Sequence, residues 1–465
     1  MLPDGVLLEI FDFYQSLPYR GIWKWHLLVH VCQRWRHIAF GSSHRLNLQL
    51  LCTFGNPVRK ALGIWPALPI VIDYSFLYSM NGITPNDEDD VIAALEHPDR
   101  VYYLGLAVVR GSQLGKFATL MQEPFPMLKR LEIRSADGDA PVFPAEFLGG
   151  SAPCLQEITL SRIPYPTLPA LLLSASDFVK LRLHNIPPTG YISPEAMVSC
   201  LAALPRLETL IIEFISATPR PDQLRPSPVT RTVLPAVTSF QFKGASEYLE
   251  DLVARIDSPQ VNWIAIEYLN QNLDFQVARL SKFIDRSVGP KLTLRKHAKV
   301  TFFRDRVSFA MYTHANHLSS DWAASTMIRC EGIDWQVSHM AQVLNHFSAT
   351  LSTVVHLMLD VELRKGRQLK DTDDVEWLHL LRQFSAMQTL HLSQELAGHV
   401  ALALEDITGE MAAEMLPSLD LIFLAGQPAS SIEKFVAARH LYDHLVTVVG
   451  TETEFDDRLG SYVNE

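Results

Sequence analysis

The sequence predicts an α/β chain in which a short N-terminal helical module precedes a long, irregular solenoid of alternating strands and helices. Three observations lead to this prediction. A short apolar pattern recurs at near-regular spacing, helical periodicity fills the intervals, and the first forty residues are rich in apolar and aromatic side chains. We expect the helical module over residues 1–45, the solenoid over 46–430, and a C-terminal cap and tail over 431–465.

The recurring pattern is an apolar residue followed by two more, three and five positions later. The last two positions are two residues apart, as a strand with one buried face requires. Successive units start 23 to 33 residues apart within each of two runs. The ten units are Val101/Leu104/Leu106, Leu128/Leu131/Ile133, Leu155/Ile158/Leu160, Phe178/Leu181/Leu183, Leu207/Leu210/Ile212, Val237/Phe240/Phe242, Val261/Ile264/Ile266, Val354/Leu357/Leu359, Met387/Leu390/Leu392 and Leu419/Ile422/Leu424.

Segments with helical periodicity lie between these strands. Ser193 before Pro194 predicts a helix start, because serine caps a helix and proline fits its first turn. The predicted helices are Ser193–Ala203, Ser246–Ile256, Phe275–Ile284, Trp335–Phe347, Val375–Phe384 and Leu402–Met415. The alternation favours a stacked solenoid with a parallel sheet on one side and helices on the other. The alternative is a doubly wound α/β enzyme domain, and the absence of a glycine-rich phosphate turn weighs against it.

Two stretches are less regular than the rest. Residues 46–100 contain two short strand candidates, Leu46 to Leu50 and Ile70–Ile72, and a predicted acidic turn at Asn86–Asp90. Residues 270–350 contain three further strand candidates, at Val300–Phe303, Val307–Met311 and Met327–Cys330. The proline-rich segment Thr218–Pro228 predicts an exposed loop, because proline cannot donate a hydrogen bond to a sheet.

The N-terminus predicts a helix that its own chain cannot cover completely. Pro3 loses no needed N–H group in the first turn, and Asp4 complements the positive end of the helix dipole. The apolar positions that follow surround most of the helix: Val6, Leu7, Leu8, Ile10, Phe11, Phe13 and Tyr14. Such a helix must be buried on more than one side, so we expect another protein to cover part of it.

A second apolar segment runs from Trp23 to Phe40 and contains V-C-Q-R-W-R at residues 31–36. Together with L-P and the I-F helix of residues 2–11, this pattern resembles the F-box, the helical module that binds the Skp adaptor of Skp–cullin–F-box ubiquitin ligases. The matching positions are Leu2, Pro3, Leu7, Ile10, Phe11, Val31, Cys32, Arg34, Trp35 and Arg36. The resemblance implies a Skp-type adaptor as partner, and through it a cullin. The adaptor-binding residues that it implies are Leu2, Pro3, Leu7, Leu8, Ile10, Phe11, Val31, Cys32 and Trp35.

The repeated pattern resembles the leucine-rich repeat, L-x-x-L-x-L. It departs from that repeat where an Asn or Cys is expected, eight positions after the first apolar residue; the residues there are Ala136, Ile163, Ile186, Ile215, Ala245 and Leu269. The whole plan resembles F-box proteins with an irregular, fungal-type repeat domain. This resemblance implies a substrate-recognition subunit of a ubiquitin ligase, with an unidentified substrate protein on the repeats. Two alternatives stay open: a repeat scaffold with no ligase link, and N-terminal helices that only cap the first repeat.

Composition and motifs exclude several other classes. The chain has 465 residues and a formal charge of −11, which argues against a nucleic-acid or membrane-surface protein. Five scattered cysteines and the absence of a signal-peptide pattern favour a cytoplasmic or nuclear protein. The pairs His26/His30 and His440/His444 lack a third metal ligand, and Cys32 near His30 is expected to be a packed residue. We therefore expect no enzymatic activity, no metal and no cofactor.

Overall fold

The structure is a computed structural model that describes residues 2–16, 24–54, 58–75, 82–217, 230–269, 277–287, 295–312, 322–330, 333–362, 374–405, 407, 414–425 and 432–451. It has two compact units. The first comprises Met1–Ile192 and Ser199–Leu207, and the second comprises Ser193–Val198 and Glu208–Glu465. Each unit contains a sheet of mostly parallel strands with helices packed against it, which confirms the α/β class.

Three helices open the first unit, as the apolar N-terminal pattern predicts. They are α1 (Asp4–Ser16), α2 (Lys24–Val31) and α3 (Gln33–Gly41). Helix α1 begins directly after Pro3 and has Asp4 in its first turn, where a carboxylate is favourable. The module boundary at residue 45 and the cap boundary at residue 431 stay predictions.

The sheet of the first unit has six parallel strands in sequential order. They are β1 (Leu50–Cys52), β2 (Ile70–Tyr74), β3 (Val101–Val109), β4 (Arg130–Ser135), β5 (Glu157–Ser161) and β6 (Lys180–Ile186). The helices between them are α4 (Val58–Ile64), α5 (Pro85–Leu95), α6 (Gly111–Leu120) and α7 (Leu168–Leu172), and α8 (Pro194–Leu201) follows β6. Ser193 caps α8 as predicted, since the Ala196 N–H donates to its Oγ at 3.2 Å.

The sheet of the second unit follows the order β7-β9-β11-β14-β13-β12-β15-β16-β17-β18. Its strands are β7 (Thr209–Phe214), β9 (Ser239–Gly244), β11 (Trp263–Tyr268), β12 (His297–Phe302), β13 (Arg306–Tyr312), β14 (Trp322–Arg329), β15 (His356–Val361), β16 (Thr389–Leu392), β17 (Leu421–Ala425) and β18 (Thr447–Thr451). Strands β8 (Thr232–Val233) and β10 (Ile256–Asp257) form a separate parallel pair. The helices are α9 (Ser246–Arg255), α10 (Ala278–Ser287), α11 (Ile333–Asn345), α12 (Ser348–Leu351), α13 (Asp374–Leu381), α14 (Gln394–Glu405) and α15 (Glu433–His440).

In each of the ten predicted repeats the second and third apolar positions lie in a strand, and all thirty apolar positions belong to the core. None of the thirty side chains is more than 3% exposed. The second apolar positions of neighbouring repeats are register partners in adjacent strands, as in Leu104 with Leu131 and Leu357 with Leu390. Identical register in successive strands stacks these side chains in a continuous apolar row, which is how a repeat protein buries its core.

The turns after the strands use backbone hydrogen bonds and apolar packing where the repeat pattern has an Asn or Cys. The Ala136 N–H donates to Val109 O at 2.8 Å, and the Leu269 N–H donates to Gly244 O at 3.0 Å. Leu269 packs with Ala217 and Ala245 in a small buried cluster.

The three strand candidates of residues 270–350 are β12, β13 and β14, which are antiparallel neighbours within a mostly parallel sheet, because the turn after Phe302 is tight and the Phe303 N–H donates to Arg306 O at 2.8 Å. Two predictions about residues 46–100 were wrong. The acidic residues 86–90 lie inside α5, not in a turn: Thr84 caps the helix, and Asp87 completes a capping box. Of the alternating stretch Leu46 to Leu50, only Leu50 lies in a strand, and Leu46 lies in a turn.

Other predicted elements are shifted or lie outside the described residues. Of the helix expected over Leu402–Met415, residues 402–405 are the last residues of α14, which begins eight residues earlier, while residues 406 and 408–413 lie outside the described residues. The proline-rich segment Thr218–Pro228 lies outside the described residues.

Candidate functional site

The residues of the V-C-Q-R-W-R segment hold the three N-terminal helices together. Cys32 is the N-cap of α3, and its Sγ accepts a hydrogen bond from the Trp35 N–H at 3.5 Å. Arg36 Nε donates to Val29 O at 3.0 Å, which satisfies a carbonyl of the last turn of α2. The short α2–α3 connection is therefore fixed from both sides.

Two arginines join α1 to the later part of the module. Arg34 donates to Leu2 O at 2.6 Å and forms an ion pair with Asp4. Arg45 forms ion pairs with Glu9 at 2.6 Å and with Asp12 at 2.7 Å. Each pair links residues about thirty positions apart in sequence, and together with the helix packing they set the orientation of α1.

Burial divides the predicted adaptor-binding residues into an inner and an outer group. Leu7 and Phe11 are at most 3% exposed, and the Phe11 ring contacts Trp35 with centroids 5.0 Å apart. Leu8 and Trp35 are half-buried. Those facing solvent are Leu2, Pro3, Ile10, Val31 and Cys32. The inner residues shape the module, and the outer ones are the group available to a partner.

The outer apolar residues form two stripes at helical spacing. Leu2, Val6, Ile10 and Phe13 follow one another at intervals of four, four and three residues; we call them the α1 stripe. Leu27 and Val31 form the α2 stripe. All six side chains are between 43% and 69% exposed. Val6, Phe13 and Leu27 were not among the predicted binding residues, although their spacing from Leu2 and Val31 could have revealed them.

An aromatic cluster connects the helical module to the first strand and helix of the repeat domain. Trp25 is buried, and its Nε1 donates to Gln49 O at 3.1 Å, just before β1. Trp65, which follows α4, contacts the rings of His26, His30 and Phe40 at centroid distances of 5.7 to 5.9 Å. Burial, with a smaller contribution from His30, lowers the pKa of His26. Both histidines contact the Trp65 ring.

The described residues contain no group of three or more His, Cys, Asp or Glu side chains arranged to hold a metal ion. His440 ends α15 and His444 lies beyond the following turn, so they do not share the helix face that their spacing predicts. Burial raises the pKa of the Cys52 and Cys200 thiols to about 12, which keeps both protonated and unreactive at neutral pH. Among the described helices, none has the length and apolar character needed to cross a bilayer.

Comparisons with known proteins add distant structural likenesses. No protein-family profile matches the chain, and no curated protein matches its sequence. Solved structures that are similar to it include the following two. The leucine-rich-repeat-containing protein LegL7 from Legionella pneumophila shares 14% identity, with a TM-score of 0.25 over 84% of this chain and 97% of that chain. The TLR13–ssRNA13 complex shares 13% identity, with a TM-score of 0.30 over 87% of this chain and 49% of that chain. Both likenesses are distant, and the repeat architecture rests on the strands and their register.

Proposed function

We propose that this chain is the substrate-recognition subunit of a Skp–cullin–F-box-type ubiquitin ligase. In this proposal the α1 and α2 stripes bind a Skp-type adaptor, and the repeat domain holds a substrate protein. The chain performs no chemistry itself; it raises the concentration of the substrate near a ubiquitin-charged enzyme. A cytoplasmic or nuclear location is part of the same proposal.

The observation that carries the proposal is the pair of exposed apolar stripes beside a well-packed interior. Leu7 and Phe11 show that α1 has a buried core side, so the exposure of Ile10 and Phe13 is a property of the other side of the helix. Contiguous exposed apolar side chains on a folded helix are typical of a protein-binding surface. Their position in the segment that resembles the F-box specifies the partner.

A repeat scaffold without a ligase link is the second candidate. The aromatic cluster around Trp65 favours it, because contacts between α2 and the residue after α4 are also what a cap on the first repeat would make. If the N-terminal helices only capped the first repeat, the exposed apolar side chains of the α1 stripe would have no function. The two candidates therefore differ in what happens when that stripe is changed.

Co-expression with a Skp-type adaptor separates them. We expect the full-length chain to co-purify with the adaptor and a cullin, and the Ile10→Asp/Phe13→Asp variant to lose both. Ile64→Asp is the matched control, since Ile64 is an exposed apolar residue at the end of α4, outside both stripes. Failure of the wild-type chain to co-purify, or equal recovery of all three proteins, would leave the scaffold as the better description.

A further inference from the structure

Strands β4, β5 and β6 present basic side chains on the sheet face opposite the core. Along β4, Leu131 and Ile133 point into the core while Arg130, Glu132 and Arg134 lie on the other face. The same alternation places Glu157 on that face in β5, and Lys180 and Arg182 in β6. We call these six residues of three adjacent strands the arginine face.

The cations of the arginine face lie outermost, and the carboxylates lie beneath them. The side chains of Arg130 and Arg134 are 54% and 52% exposed, whereas those of Glu157 and Glu132 are 19% and 18% exposed. Glu157 accepts from Arg130 at 3.1 Å and from Lys180 at 2.9 Å, and Glu132 pairs with Arg134 at 2.8 Å. The solvent-facing layer is therefore cationic.

The face carries an excess of positive charge on a chain that is acidic as a whole. Four cations against two carboxylates give +2, while the chain has a formal charge of −11. Arg182 makes no ion pair with any residue that the structure describes. A guanidinium has five N–H donors, so Arg130 and Arg134 keep donors available after pairing with one carboxylate each.

Tyr103 of β3 restricts the motion of Arg130. The Arg130 guanidinium lies 5.3 Å from the centre of the Tyr103 ring, a cation–π contact, and the two residues are register partners in neighbouring strands. A guanidinium that is held before binding loses less conformational entropy when it accepts a ligand. The arginine face is thus partly organised in the free protein.

We propose that the arginine face binds an extended acidic peptide segment of a partner protein. Charge complementarity selects the occupant: carboxylates of the segment would accept from Arg130, Arg134 and Arg182. In an extended peptide every second side chain points the same way, about 7 Å apart, so acidic residues four positions apart have the same separation as Arg130 and Arg134 along β4. The inference rests on the proposed function, because it gives the chemical class of the substrate segment that the repeat domain would hold.

A nucleic acid is a poorer occupant of the same surface. Glu132 and Glu157 lie between the cations, and a phosphate backbone carries a charge at every nucleotide that these carboxylates would repel. A peptide can place uncharged residues opposite the carboxylates. Nucleic-acid binding is therefore an outcome that counts against the proposal.

Fluorescence anisotropy with the full-length chain tests it. The probe is a fluorescein-labelled peptide of about twelve residues with alternating Glu and Ser, and the reference peptide has Gln in place of Glu. We expect the Glu peptide to bind at least about tenfold more tightly than the Gln peptide, as charge-assisted hydrogen bonds predict. Raising NaCl from about 50 mM to about 300 mM should weaken its binding several-fold.

The variant Arg130→Gln/Arg182→Gln should weaken Glu-peptide binding by about tenfold or more. This variant leaves Glu157 paired with Lys180, so no buried carboxylate loses its only partner. Arg59→Gln is the control, because Arg59 is an exposed helical arginine of α4, outside the arginine face; it lies 4.0 Å from the Asp89 carboxylate and donates to Asp89 O at 3.3 Å. Unfolding midpoints of both variants should match the wild type.

Three results would overturn the proposal: equal affinity for the two peptides, full binding by Arg130→Gln/Arg182→Gln, or tighter binding of an oligouridylate of equal length. The Ile10→Asp/Phe13→Asp variant separates this proposal from the ligase proposal, because it should keep peptide binding while losing the adaptor. Peptide binding without adaptor binding refutes the ligase link alone. Adaptor binding without peptide binding refutes the arginine face alone.

Discussion

The indole of Trp65 lies almost parallel to the imidazole of His26, with ring centroids 5.8 Å apart and an angle of 10° between the planes. His26 belongs to α2, and Trp65 directly follows α4, so one stacked pair joins the N-terminal helices to the first repeat. Trp25 makes the second connection through its hydrogen bond to Gln49 O. The helical module and the start of the repeat domain therefore share a common aromatic core.

Replacing Trp65 by alanine should loosen this connection. Trp65 is half-buried and contacts four other rings, those of Trp25, His26, His30 and Phe40, so we expect Trp65→Ala to lower the free energy of unfolding by about 1–3 kcal/mol, less than for a fully buried tryptophan. Urea unfolding followed by circular dichroism measures this change. Limited proteolysis should cut first between the N-terminal helices and the repeats, and unchanged cleavage would mean that the cluster does not join them.

The stability of the chain should fall as pH is lowered from 7.5 to 5.5. Burial lowers the pKa of His26, His339 and His356 in the folded state, and an unfolded histidine titrates near 6.5. Lowered folded-state pKa values mean that the unfolded state binds protons first, so the stabilisation is full above pH 6.5 and is lost below it. Urea unfolding at both pH values tests this sign.

His339 provides the variant for the pH measurement, since it is buried in α11 beside Trp335. The stability of His339→Gln should change less between pH 7.5 and 5.5 than that of the wild type. His37→Gln alters an exposed residue of α3 and should follow the wild type. A pH response that is identical in all three proteins would show that buried histidine does not cause it.

Arg439 should be essential for the last described repeat. Its guanidinium is buried and donates to Met415 O at 3.0 Å, Leu416 O at 2.9 Å and Leu419 O at 3.2 Å. Arg439→Ala leaves these carbonyls without that donor, and we expect a loss of about 2–5 kcal/mol. Lys434→Ala, at an exposed position of α15, should change stability by less than about 0.5 kcal/mol. Thermal unfolding that is equal for the two variants would contradict this role.

The strands could be predicted from sequence because the alternation of apolar and polar residues within each repeat indicates which side chains are buried. Leu131 and Ile133 show which face of β4 is buried without reference to any other strand. The sequence of a single strand does not indicate whether it pairs in a parallel or an antiparallel direction. Apolar alternation in β12 and β13 reads the same in a parallel or an antiparallel pair, and the short turn after Phe302 decides the direction.

The candidate site was predictable only in part, because its exposed side depends on contacts between distant residues. Seven apolar or aromatic positions surround α1 in the sequence, and packing against α2 and α3 decides which ones are covered. Phe11 turns inward to meet Trp35, which leaves Ile10 and Phe13 outside. Trp65 lies outside the segment that resembles the F-box, so the pattern gave no reason to connect it with α2.

Calorimetric titration of the full-length chain with a purified Skp-type adaptor tests the central claim most directly. We expect saturable binding by the wild type and by Ile64→Asp, and at least about a hundredfold weaker binding by Ile10→Asp/Phe13→Asp, because each aspartate would place an unpaired charge in an apolar contact. All three proteins should unfold at similar denaturant concentrations, since the three altered positions are exposed. Equal affinities for the wild type and the double variant, or no binding by the wild type, would contradict the claim that the α1 stripe is an adaptor-binding surface.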